Sequence, residues 1–489
     1  MMERELTWEL VPYFHGKVLD YGANPAPWFP HFIHHAAAGI RESGDLRMFA
    51  DKSLDGVVSS GILNLDSWGG ASATVNEFCR VVRPGGSVVV HLPRTNEANQ
   101  WEIRPKTVMD LFHGAQTGWD LETLHEDLHG GLFAAFRLNT SDRHTFSYAE
   151  PRPRLTAAVV RLGAFGDLIQ ASSVLPWLKE QGYHVTFYCS DHGFPVIEHD
   201  PHVDRFIIQG RDEVPPNYLS EFYSYERQKY DKWINLCESV ESTLLAAPGG
   251  SNYDWPNELR AKYMDRNYLE FTHELAQVPP PYRPKFYATD DERSWAAEEA
   301  AKLGRRNVLW SLSGSSVHKT WPHMDAMISR IMLAYKDVSV VLVGDEVCKI
   351  LEAGWYRPDN APKNPRVHCR SGVWSIRQSM AFAEVADLII GPETGLLNAA
   401  GSMETPKVVT LSHSSANMLV KHWKNVIALQ QPDGKGCPKQ PCRQLHTTGW
   451  KHCMQEPKTG TAICQYAIDP EVMWTAIVHI LSRSEARAA

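Results

Sequence analysis

The chain has 489 residues, enough for three domains of ordinary size. A formal charge of −8 and a 43% hydrophobic composition fit a soluble globular protein and disfavour recognition of duplex nucleic acid, which usually needs a basic face. No run approaches the roughly 18 uncharged apolar residues of a membrane helix. The opening MMERELTWELVPYF carries acids and no long apolar stretch, unlike a secretory leader. The expectation is a cytoplasmic protein whose membrane contact, if any, is peripheral.

In chain order, Gly16 to Pro25 reads as a short strand running into a Gly22 turn. Phe32 to Gly44 offers His34, His35 and an Ala-rich helix. Ser53 to Ser60 is an acidic turn with a β-rich run. Glu77 to Pro93 is the end of a helix, a Pro-Gly-Gly turn and a strand. Leu138 to Leu155 is polar with two prolines near its end, which predicts a linker.

A strand at Ala157 to Val160 then leads into Gly163-x-x-Gly166-Asp167. The amphipathic helix predicted after it carries Leu168, Ser172, Leu175 and Leu178 on one face. Asp167 lies where a carboxylate either caps the helix or faces a cleft as a general base, because ligands of open α/β sheets bind at the carboxyl ends of strands. The prolines at 279 to 281 break the chain before a helix at Asp291 to Leu303.

From Val308 a strand ends in Ser313-Gly314-Ser315-Ser316, followed by His318-Lys319-Thr320-Trp321-Pro322. Lys319 is either a phosphate-neutralising point charge or a solvated surface lysine. Val338 to Val343 is a buried-looking strand ending in Gly344-Asp345-Glu346. Leu388 to Ile390 is another, followed by Gly391, Pro392-Glu393-Thr394-Gly395 and a small-residue helix. A further strand is expected at Lys407 to Leu411. The Thr394-Gly395 turn is either an ordinary βα turn or a diphosphate cradle, with unpaired N–H groups at a positive helix end.

Of nine cysteines, Cys79, Cys189, Cys237, Cys348 and Cys369 fall in predicted strands and helices and read as buried thiols. Cys437, Cys442, Cys453 and Cys464 crowd a Gly/Pro/Lys/Gln-rich loop. In a reducing compartment that density points to a closed, structural zinc or iron site more than to disulfides. The spacing is looser than two Cys-x-x-Cys pairs, and His446 or His452 is a possible substitute ligand. The 16 tryptophans read as packing residues.

RLGAFGD, SGSSVHKTWP with VVLVGDE, and GPETGLLNAA occur in the order found in the lipopolysaccharide heptosyltransferases, and the chain resembles that family from about residue 155 to about residue 481. The resemblance implies an α/β GT-B architecture, two Rossmann-like domains facing across a cleft, at 155–290 (acceptor side, with turn residues Gly163 and Gly166) and 291–489 (donor side). It implies a metal-independent, inverting transfer of a heptose or related sugar from a nucleoside diphosphate sugar. In it Asp167 is the base, and Lys319 with the Thr394 and Gly395 amides holds the leaving diphosphate. Glu346 meets the nucleoside, and Gly314, Ser315, Ser316, Gly344, Glu393 and Asn398 complete the donor side. The family's Asp-Thr-Gly-x-x-His here reads Glu393-Thr394-Gly395-Leu396-Leu397-Asn398, so the donor need not be ADP-heptose. The acceptor is left open among a glycan, a protein hydroxyl and a modified nucleobase, and so is the oligomeric state. Relatives in this family often carry cysteines just before a C-terminal helix, and some protein-directed members bind iron there.

Residues 1–137 resemble class I S-adenosylmethionine-dependent methyltransferases in their Val-Leu-Asp-x-Gly start, acidic-turn strand and Pro-Gly-Gly turn. Only Gly22 of the glycine loop remains, and the strand ending in a ribose-binding acid looks absent, along with its βα unit. The implied domain is a relic for docking or assembly, with no S-adenosylmethionine bound and 138–154 as its linker. Two other functions stay open: a methyltransferase working through this domain, and a non-catalytic nucleotide-sugar scaffold.

Overall fold

The computed structural model describes residues 8–22, 26–36, 46–61, 68–93, 105–113, 115, 118–127, 130–139, 155–210, 214, 216–314, 319–356, 362–446 and 453–488. By its contacts the chain divides into two units. One holds 1–156, 188–191 and 205–232; the other holds 157–187, 192–204 and 233–489. The stretch 188–232 of the expected acceptor domain is thus shared between them.

In the first unit, strands β1 (Val18–Gly22), β2 (Ile33–Ala36), β3 (Leu54–Ser60), β4 (Val82–Leu92), β5 (Trp119–Glu126) and β6 (Leu132–Leu138) form one sheet in the order β2-β1-β3-β4-β6-β5. The first four are parallel, and β6 runs antiparallel to both neighbours. Strands β1, β3 and β4 are buried along almost their whole length, apart from residues 83–85 of β4, because both faces are covered. Helices α1 (Trp68–Val81) and α2 (Pro105–His113) belong to the same core, in which the Phe112 and Phe136 rings stack at 3.7 Å.

The Phe32 region corrects the sequence expectation. Ile33–Ala36 is a strand, not part of an Ala-rich helix, and pairs in parallel with β1, Leu19 opposite Ile33 and Gly22 opposite Ala36. Four residues are too few for a period to show, and pairing with the open edge of β1 decides their state. A second strand is therefore present. Its carboxyl end is Ala36, not an acid. Residues 37–45, and most of the expected linker, lie outside the described residues.

Strands β7 (Thr156–Arg161), β8 (His184–Ser190), β9 (Arg205–Gln209) and β10 (Lys232–Asn235) form a four-stranded sheet in the order β10-β7-β8-β9. The helix expected after β7 is two helices, α3 (Phe165–Ser172) and α4 (Leu175–Glu180). Pro176 has no N–H for the Ser172 carbonyl, so one continuous helix cannot form. Leu168, Leu175 and Leu178 are nevertheless all buried.

The third sheet is wholly parallel: β11 (Arg306–Ser311), β12 (Val338–Val343), β13 (Val367–Cys369), β14 (Leu388–Pro392), β15 (Lys407–Thr410) and β16 (Val426–Leu429), in the order β13-β12-β11-β14-β15-β16. From β11 the order runs outward in both directions, so the turns after β11 and β14 flank the switch point where open α/β sheets bind ligands. Helix α5 (Tyr268–Ala276) precedes the crossover. Helix α6 (Asp290–Leu303) opens with Thr289 and Glu292 capping one another, at 3.2 Å and 2.8 Å. Helix α7 (Gly395–Ala400) follows β14, and α8 (Pro470–Ala488) closes the sheet's core. Among the described residues, no helix is long and apolar enough to cross a membrane.

Candidate functional site

Asp167 is the third residue of α3, and each of its carboxylate oxygens has its own partner. Oδ2 accepts the Ala164 N–H at 2.8 Å, so the residue does cap its helix. Oδ1 lies 3.0 Å from Arg161 Nη2, and the same nitrogen reaches Glu241 Oε2 at 2.6 Å. Gly163 makes this fit: a Cβ there would stand 2.6 Å from the Cβ of Asp167. Burial pushes the Asp167 carboxyl up to about 6; Arg161 works against the rise and Glu241 adds to it. For Glu241 burial also works upward, but Arg161 outweighs it and holds the group below the usual carboxylate range. Sequence reasoning missed Glu241. It stands 80 residues from Arg161 in a stretch with no turn or motif signal.

Lys319 is buried, which removes the surface-lysine reading. Its Nζ donates to the Glu393 carbonyl oxygen at 3.1 Å. Burial lowers its pKa, opposed by the charges of Glu393, Asp167 and Glu241. Gly314 lies against its aliphatic stem, while Ser315 and Ser316 are outside the described residues. Thr394 caps α7, its Oγ1 accepting the Leu397 N–H at 3.3 Å and lying 3.3 Å from Ser311 Oγ.

The Glu393 carboxylate serves a different part of the fold from its carbonyl. It accepts from Ser412 N at 2.8 Å, Ser414 N at 3.3 Å and His413 Nε2 at 2.9 Å. Burial alone would raise this acid. His413, Lys319 and the Ser412 amide together hold it down at about 2. It therefore braces the 412–414 loop under the turn. His413 and the two serines had no signal in sequence.

The two turns meet. A Cβ on Gly395 would lie 2.7 Å from Phe165 Cβ, and one on Gly166 would lie 2.9 Å from Asn398 Nδ2. Gln170 Nε2 donates to Asn398 Oδ1 at 2.9 Å, and Asn398 Nδ2 donates to the Thr394 carbonyl at 2.9 Å. Asp167, Lys319, Thr394 and Gly395 are thus gathered at one place. Glu346 is not part of these contacts. Its side chain is 72% exposed and pairs with Lys349 at 2.6 Å, while Gly344 packs on Cys348. The buried acid beside it is Glu352, which accepts from Ser371 N at 3.0 Å and Oγ at 2.6 Å.

Cys437, Cys442, Cys453 and Cys464 line one cavity of about 20 Å3, room for a single ion or water, with His413 and His446 in its wall. Cys442 Sγ is 3.8 Å from His446 Nε2; His452 is outside the described residues. Burial, and after it the neighbouring thiols, push Cys442 up to about 12 and Cys453 up to about 11. Among the described residues no three His, Cys, Asp or Glu side chains stand at metal-ligating separation. The donor set suits zinc or iron chemically, and its geometry is that of gathered thiols rather than a closed tetrahedron.

In the first unit, Asp20 in the middle of β1 is fully buried, and its Oδ2 accepts the Trp28 N–H at 2.7 Å. Beside it, Ser60 Oγ is 3.2 Å from His91 Nδ1, and His91 Nε2 is 2.9 Å from Asp127. Not every polar atom here is used: Asp20 Oδ1, Trp28 Nε1 and Ser59 Oγ are buried with no hydrogen-bond partner among the described residues.

No protein-family model matches the chain. Lipopolysaccharide heptosyltransferase 1 of Campylobacter coli is 17% identical over 287 residues, which cover 51% of this chain and 82% of that protein. Among solved structures, the ADP-heptose lps heptosyltransferase II of E. coli is 14% identical, covering 68% of this chain and 100% of that one with a TM-score of 0.48. The iron-containing dodecameric glycosyltransferase TibC of enterotoxigenic E. coli is 13% identical, covering 67% and 78% with a TM-score of 0.43.

Proposed function

We propose that the chain is a glycosyltransferase that moves a sugar, a heptose or a relative of one, from a nucleoside diphosphate sugar to an acceptor hydroxyl, with inversion and without a catalytic metal. The observation that carries this reading is the meeting of the Asp167 turn with Lys319 and the Thr394-Gly395 turn, a base beside a cation and a helix start. The similarity over 287 residues to a lipopolysaccharide heptosyltransferase supports the reaction class.

In the reaction, the acceptor oxygen attacks the anomeric carbon and passes its proton to Asp167, while the bond to the diphosphate breaks on the opposite face. A carboxyl held at about 6 is mostly ionised at neutral pH and still takes up a proton readily. Lys319 and the amides at the start of α7 stabilise the charge that develops on the diphosphate, the main electrostatic task when no metal performs it. Gly314, Ser315, Ser316, Gly344 and Glu346 form the remaining donor surface. Glu393 and Asn398 act from behind, bracing the turn through His413 and Gln170 rather than touching the sugar. The acceptor is a glycan, a protein hydroxyl or a modified nucleobase, and the protein works in the cytoplasm.

The four clustered cysteines hold one structural zinc or iron, which supplies binding energy to a loop with little core of its own. Residues 1–137 form a reduced methyltransferase-type domain for docking or assembly.

A thermal-shift panel of nucleoside diphosphate sugars plus S-adenosylmethionine, with turnover assayed on each hit, tests the whole reading. A diphosphate sugar should raise the melting temperature and be consumed, because a ligand of the native state stabilises by mass action. Lys319→Ala should weaken that shift. Stabilisation by S-adenosylmethionine alone transfers the activity to the first unit, and binding without turnover makes the chain a scaffold.

A further inference from the structure

Asp167 does not stand alone on its arginine. Arg161 is 3% exposed, and its Nη2 is shared between Asp167 Oδ1 at 3.0 Å and Glu241 Oε2 at 2.6 Å. One guanidinium thus faces two acids, and two like charges at one site cannot both ionise freely. Glu241 follows β10, Arg161 ends β7 and Asp167 opens α3, so three separate segments converge on one ion cluster.

We infer that Glu241 is a positioning residue for the transfer: by competing with Asp167 for Arg161, it keeps the Asp167 carboxylate from being neutralised by its arginine and so keeps it basic enough to take the acceptor's proton. The inference rests on the transferase reading given above. A lone Asp–Arg pair is a weak base, because the cation stabilises the ionised acid. With a second carboxylate on the same cation, the attraction is divided. The direction of both acids agrees: burial and Glu241 raise Asp167 against Arg161, and Arg161 holds Glu241 down. Other charged or titratable groups act on this cluster. Lys319, in the turn after β11, feels both acids; Tyr268 of α5 feels both; and Cys237, after β10, acts on Arg161. None of these replaces Glu241, which alone shares the Arg161 nitrogen with Asp167 among the described residues.

Glu241→Gln keeps the shape and removes the competing charge. Two measurements on the full chain test it: the carbon-13 titration of the Asp167 carboxyl, assigned against Asp167→Asn, and the pH profile of kcat/KM for the diphosphate sugar found in the panel. In Glu241→Gln both the titration and the acid limb of the profile should move down from about pH 6 by about one unit or more, with donor affinity unchanged. Should Glu241→Gln fail to fold, Glu241→Asp carries the same test with a smaller shift in the same direction. A limb and a titration that stay in place, even with a reduced rate, would overturn the inference and leave Glu241 a structural partner of Arg161. A titration that moves in a protein with no turnover on any donor supports the ion cluster and sinks the transferase reading instead.

Discussion

Gln170 Nε2 donates to Asn398 Oδ1 at 2.9 Å, tying α3, which carries Asp167, to α7, which opens at the Thr394-Gly395 turn. Asn398 occupies the place where the resembled family has histidine. Its amide is used on both sides, Oδ1 for Gln170 and Nδ2 for the Thr394 carbonyl. A neutral imidazole offers one donor and one acceptor in a different geometry. The departure therefore alters how the two turns are joined. Asn398→Ala should strip Gln170 of this partner and lower stability by about 1–3 kcal/mol, read as a lower urea midpoint with an unchanged m-value. A midpoint equal to that of the wild type means the two helices are not held together by this bond.

The Glu393 carboxylate gives the fold a specific acid sensitivity. Its folded pKa of about 2 lies below the usual carboxylate value. The group therefore contributes stability that is full above about pH 4.5 and is lost as pH falls toward 2. Glu393→Gln leaves His413 without its acid and should cost about 3 kcal/mol at pH 7. It should also flatten the stability curve across that acid window. Equal slopes for variant and wild type between about pH 5 and 2 would remove Glu393 from the acid response.

For the cysteine cavity, protein prepared without chelators should carry about one zinc or iron per chain. Without metal, the raised pKa values of Cys442 and Cys453 keep their thiols protonated and slow to alkylate at neutral pH. Cys453→Ser should lower metal content and melting temperature together. Ser412 and His413 both line the cavity and hold Glu393, so metal loss should also weaken diphosphate binding. Elemental analysis near zero in protein prepared without chelators makes these cysteines ordinary loop residues.

The elements that fix the site could be read from sequence because they are local. An apolar run leading into a glycine-containing turn and then a helix announces a βα unit, and β7, β11, β12 and β14 all do so. Two errors came from local reading as well. Pro176 lies inside an apparently continuous apolar face and splits it, and Ile33–Ala36 is a strand only because β1 offers an edge. The partners that tune the site could not be read. Glu241 and His413 carry no spacing signal, since each gains its role from a residue brought near by the fold.

The central claim is that Asp167 takes the acceptor's proton, and the most direct measurement is turnover of the donor by Asp167→Asn. The amide keeps the shape of the side chain, and its oxygen still accepts the Ala164 N–H, so α3 stays capped. It cannot take up a proton. With a nucleoside diphosphate sugar that stabilises the wild type, the variant should bind the donor with the same affinity and transfer the sugar about 10²-fold more slowly or worse. Transfer at near wild-type rate by the folded variant would contradict the account and reduce Asp167 to a helix cap.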